Sequence, residues 1–131
     1  MNDRYLYRAK HIHALPANKH LDVTWIEGYL CNENYIYSPS LEGEFFIDPS
    51  TICQCTGLED KNDKLIWEND IVIINGWIGK VMWSSNDTAY IVLPNDDIKN
   101  ETYCLGYWVN EYDVEVIGNE IDNPELLEVG E

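Results

Sequence analysis

Short apolar runs separated by Asn, Asp, Gly and Pro follow one another along almost the whole chain, and sustained helical periodicity is nearly absent. That is the pattern of a mainly β protein. Residues 4–8 open with a strand, and 9–20, which hold Pro16, Asn18 and Lys19, read as a loop. Leu21, Val23 and Trp25 alternate with polar residues in a half-buried strand that runs on through Gly28-Tyr29-Leu30. Asn32-Glu33-Asn34 turns the chain into Tyr35-Ile36-Tyr37, and short strands at 45–47 and 51–55 flank Asp48-Pro49-Ser50. Asp70–Ile74 and Trp77–Trp83 enclose Asn75-Gly76, a pair that accepts the positive φ angles of a type I′ hairpin. Strands at 88–93, 102–109 and 113–117 complete a meander, and Asn123-Pro124-Glu125 looks like a cap, a first-turn Pro and one helical turn. Strands of this length and spacing favour a small barrel or sandwich.

The 131 residues suffice for one ordinary domain or two very small lobes, and a 45% hydrophobic composition is that of a globular chain. Charge changes the picture more. Residues 1–80 hold 12 acids and 7 bases, whereas 81–131 hold 12 acids and only Lys99, out of a formal net charge of −16. Such a field repels nucleic acid and anionic membranes and attracts basic partners. It also serves simply to keep a surface solvated. Asp87, Asp96, Asp97, Glu101, Glu111, Asp113 and Glu115 are the candidate contacts for a basic protein partner. No direct nucleic-acid or membrane binding is expected, and no apolar run resembles a signal peptide or a membrane span. A cytoplasmic protein with reduced thiols is the expectation. The Asn86–Thr88 and Asn100–Thr102 triplets are then chance matches to a glycosylation pattern.

Patterns that carry chemistry are missing. His11-x-His13 needs a third metal ligand, only His20 remains, and a solvent-exposed role is the simpler expectation. Asp60–Leu65 fails as a calcium loop because Lys64 and Leu65 stand where an oxygen ligand and a Gly belong. Asp96-Asp97 reads as a turn. Cys31, Cys53, Cys55 and Cys104 lack zinc spacing, and Cys53 and Cys55 are expected as buried residues on one face of a strand. No nucleophile motif or phosphate-binding Gly-rich loop occurs, so no enzyme activity and no cofactor are expected. Trp77, Trp83 and Trp108 read as core residues, and Gly106, between Tyr103 and Tyr107-Trp108, as a bulge or close approach.

At Thr56–Val72 the run TGLEDKNDKLIWENDIV resembles the signature of the YopX family, with Thr56, Gly57, Leu58, Asp60, Lys61, Asn62, Ile66, Trp67, Glu68, Asp70, Ile71 and Val72 on its pattern. Residues 26–37, Ile47–Ile52, and Tyr112–Asn119 with Asn123–Leu127 resemble further family segments in the same order. Cys55 stands where an aromatic residue is common, and Asp63 and Asn69 replace two turn glycines. Asp and Asn enter left-handed backbone comparatively easily, so both turns should survive. The resemblance implies a phage or prophage setting and an SH3-like barrel in the C-terminal part, without a biochemical activity. SH3-like barrels commonly bind peptide on an aromatic face, which by analogy makes such a groove a candidate here.

Read residue by residue, the signature is structural. Gly57 suits a restricted backbone position, Asp60 closes a turn with its carboxylate, Asn62 sits in left-handed space, and Ile66, Ile71 and Val72 enter the core. The alternative is a surface site of Asp60, Glu68 and Asp70. The expectation is therefore a mainly β chain: an N-terminal β meander (1–55), then a small SH3-like barrel (56–131) with one short C-terminal helical turn, packed as one compact unit. Its expected role is a non-enzymatic protein-binding module. A structural homo-oligomer and a nucleic-acid mimic that antagonises a host DNA-binding or defence protein are the alternatives.

Overall fold

A computed structural model describes residues 5–12, 25–95 and 104–128. Within them the chain is mainly β, with its strands in two antiparallel sheets and one short α-helix. It divides into two units, Met1–Cys55 and Thr56–Glu131.

In the first unit, β1 (Tyr7–Lys10), β2 (Trp25–Asn32), β3 (Tyr35–Ser38) and β4 (Gly43–Phe46) lie in the order β4-β3-β2-β1. The far side of β1 is shared. Tyr7 and Arg8 pair with Gln54 and Cys53 at the start of β5 (Cys53–Glu59). Further along, the Ile12 amide donates to Phe46 and the Asp48 amide to Lys10, both at 2.9 Å, so the end of β4 folds back onto β1. The Asp48-Pro49-Ser50-Thr51 corner makes this return. The Asp48 carboxylate accepts from the Ser50 amide and hydroxyl, and the Thr51 hydroxyl donates to the Asp48 carbonyl and accepts from the Lys10 amide. Ala9, Ile26, Ile36, Phe45 and Ile47 fill the space enclosed.

His11 joins that core at 7% exposure, edge-on to Phe45 at 5.5 Å. The expected solvent-exposed histidine is thus corrected, because β1 begins and ends later than residues 4–8 and carries His11 into a bridge with Ile47. His13, His20, Leu21 and Val23 lie outside the described residues.

In the second unit, β6 (Leu65–Trp67) lies beside the later part of β5, and a four-stranded sheet runs β10-β7-β8-β9. Its strands are β7 (Asp70–Ile74), β8 (Trp77–Ser84), β9 (Ala89–Pro94) and β10 (Val114–Asn119). Asn75 at φ 53° and Gly76 at φ 89° form the expected hairpin turn, with Ile74 opposite Trp77. Ile66, Val72, Ile74, Val81, Val92, Leu105, Trp108 and Val114 form the core. Trp83 has the parity of Val81 but lies past the end of that core, 47% exposed, and packs edge-on against Tyr90 instead.

The largest departure lies at 105–109. Instead of a strand, Leu105–Glu111 forms helix α1. Leu105, Trp108, Val109 and Tyr112 recur at helical spacing, and the first two are buried. Gly106 accordingly sits in a helical turn, not a bulge, while Thr102 and Tyr103 lie outside the described residues. The C-terminal turn is a 3-10 turn, Pro124–Leu127, and Asn123 does not cap it with its side chain but accepts from the Asn119 amide.

Gly28 marks the tightest approach in the first unit, since a Cβ there would stand 2.0 Å from the Tyr37 carbonyl oxygen. Backbone in a paired strand cannot give way as a side-chain tip can. Gly28→Ala should therefore cost about 3 kcal/mol, read as a lowered urea midpoint followed by far-UV circular dichroism.

Candidate functional site

The Thr56–Val72 run builds the frame of the second unit. The Thr56 hydroxyl donates to the Ile66 carbonyl at 2.7 Å and accepts from the Leu58 amide, joining β5 to β6 around Gly57 at φ 83°. Asp60 follows. Its Oδ1 accepts the amides of Asn62 and Lys64, and its Oδ2 reaches across the chain to the Val116 amide at 3.0 Å. The Lys61 amide donates to the Val114 carbonyl at 2.8 Å. This turn thus occupies the outer edge of β10 as a strand would, removing an open edge. The left-handed residue here is Asp63 at φ 64°, while Asn62, which was expected to be, is not.

A second knot lies at Glu68–Asp70. Asn69 adopts φ 73°, donates to the Val81 carbonyl and accepts from the Glu120 amide. Asp70, 1% exposed, accepts the Trp67 amide at 2.8 Å. Asp60 and Asp70 both turn their carboxylates to backbone donors instead of to solvent, so no surface site forms from Asp60, Glu68 and Asp70. Burial alone pushes the Asp60 carboxyl up, but the amides of Val116, Lys64 and Asn62 and the charge of Lys64 together hold it below its ordinary value.

The turn stands beside a groove of ≈ 680 Å³ within the second unit. Ile73 and Val109 supply its apolar lining, Asn75 and Gly76 one wall, and Asn110 through Asp113 with Glu115 another. Glu111 ends α1, Asp113 lies in the link to β10, and Glu115 projects from β10. Tyr112 is 41% exposed and is braced by Trp108 and Tyr107 at ring distances of 5.4 and 6.3 Å. Trp77 supports Trp108 edge-on at 5.2 Å. Lys61 reaches in and pairs with Glu115 at 3.4 Å. The groove is therefore an anionic trough with an aromatic side.

Of the acidic residues singled out in the sequence, Glu111, Asp113 and Glu115 come together here. Asp87 does not. It lies in the β8–β9 turn, where its carboxylate accepts from the Ser84 hydroxyl at 2.9 Å. Asp96, Asp97 and Glu101 lie outside the described residues. Sequence reasoning missed Lys61, Asn110 and Tyr112 as groove residues, and the signal that would have found Tyr112 was the 105, 108, 109, 112 helical stripe. Cys53 and Cys55 are buried, Cys31 and Cys104 are exposed, and none of them lies in a disulfide. Among the described residues no group of three His, Cys, Asp or Glu is placed to hold a metal, and no helix is long and apolar enough to cross a membrane.

The frame built by Thr56, Asp60, Asn69 and Asp70 lies within the span of a family match. The model of the YopX protein family matches residues 7–128. The chain belongs to the YopX family. The match takes in both units, the Asp48–Thr51 corner and every residue that lines the groove. No curated protein matches this YopX chain.

Asp60→Asn should cost about 2 kcal/mol, because an amide oxygen replaces two charged acceptors and its Nδ2 faces an amide donor. Since the folded carboxyl lies below its ordinary value of 3.8, the stabilisation is fully present well above that value and is lost as pH falls through the lower folded value. Urea midpoints of the two proteins should differ at pH 7 and converge in acid.

Proposed function

We propose that this chain is a non-enzymatic binding module whose second unit takes a basic segment of a protein partner into the Glu111–Asp113–Glu115 groove. The observation that carries this reading is the convergence of three carboxylates and an exposed, braced tyrosine on one concave surface. Folding does not ask for that convergence. Glu111 stands at the carbonyl end of α1, whose last turn holds no basic residue, and it lies close in sequence to two more acids. Like charges so placed cost stability, so their presence points to a partner that supplies the missing cations.

The SH3-like form that the family resemblance implies fits this role, since such folds use an aromatic groove beside their strands for peptides. A phage or prophage protein working in the bacterial cytoplasm would meet many basic host proteins there. Nucleic-acid mimicry is a special form of the same reading, in which the basic segment belongs to a DNA-binding protein. The self-assembly alternative loses one support, because the Asp60-Lys61 turn fills the outer edge of β10.

Tagged protein exposed to bacterial lysate should retain basic proteins at low salt and release them at high salt. Joint Glu111→Lys and Asp113→Lys reversal should reduce that retention roughly tenfold, while Asp87→Lys should leave it near the wild-type level. Retention that ignores the groove reversals contradicts the proposal. Competition by duplex DNA would favour the mimicry form.

A further inference from the structure

We propose that Lys61 is a resident competitor in the acidic groove, which a partner must displace from Glu115 in order to bind. The inference rests on the groove being the binding surface. Among the described residues that line it, Lys61 alone is cationic, and its ammonium stands 3.4 Å from Glu115. Its backbone is fixed on both sides of that carboxylate. The Lys61 amide holds Val114, and the neighbouring Asp60 carboxylate holds Val116. Only side-chain rotation remains to be ordered, so the ammonium returns to Glu115 at low entropic cost.

The pair is nevertheless easily broken. Its side chains are 42% and 41% exposed, a setting in which an ion pair is weak and screened by salt. A single incoming cation gains little by replacing Lys61 at Glu115. A segment with several cations gains more, because Glu111 and Asp113 can be engaged as Lys61 is displaced. Lys61 thus raises the threshold for binding and selects segments that carry clustered Lys or Arg over those with an isolated one.

The test is a low-salt anisotropy titration of a fluorescein-labelled octa-lysine peptide against wild type, Lys61→Met and Lys64→Met. Both substitutions keep the alkyl stem and remove one charge from the same turn, but Lys64 does not line the groove. Lys61→Met should tighten binding roughly three- to fivefold, and Lys64→Met by less than about twofold. Equal gains would reduce the effect to net charge and overturn the inference, as would weaker binding by Lys61→Met, which would make Lys61 a contributor. If the peptide binds none of the three proteins, the groove reading itself fails and the inference falls with it.

Discussion

A carboxylate taken out of water must find donors, and Asp60 finds them in three backbone amides. Two lie in its own turn, and the third, Val116, is 56 positions away in sequence. One side chain therefore closes the β5–β6 turn and fastens it to the edge of β10. Without that fastening β10 would present unpaired amides and carbonyls on its outer side, and Lys61 would have no fixed place beside Glu115. Both the stability of the second unit and the shape of its groove thus depend on the same short turn.

Asp60 and the groove acids use negative charge in opposite ways. At Asp60 and Asp70 the charge is buried and answered by backbone N–H groups, which makes it structural. At Glu111 and Asp113 the charge is exposed, close to like charge, and placed where a helix end disfavours it. Net acidity alone does not separate these two uses. Burial and hydrogen bonding do, and they divide the acids of this unit into those that hold it together and those that face outward.

Much of this was legible in the sequence. Asn75-Gly76 specified its hairpin because few residue pairs accept two positive φ angles, and Asp63 and Asn69 take left-handed backbone in their turns, as Asp and Asn do comparatively easily. The signature run placed Ile66, Ile71 and Val72 in the interior, and all three are buried. Helix α1 was hidden because its aromatic and β-branched residues carry strand propensity, and tertiary packing of Leu105 and Trp108 overrode it. Trp83 misled because parity says which face a side chain takes and not where the core ends. The groove was half visible: its acids stood out as charge, whereas the contribution of Lys61 depended on a hydrogen bond between distant segments that no local pattern records.

Amide hydrogen exchange at Val116, followed by NMR in wild type and in Asp60→Asn, measures that fastening directly. The Val116 amide lies on an edge with a carboxylate in place of a strand, so it should exchange slowly in wild type. In the variant it should lose protection while the interior amides of β7 and β8 keep theirs. A Val116 amide that exchanges as fast as an exposed loop amide in wild type, or whose protection is unchanged by the substitution, would contradict the central role given to Asp60.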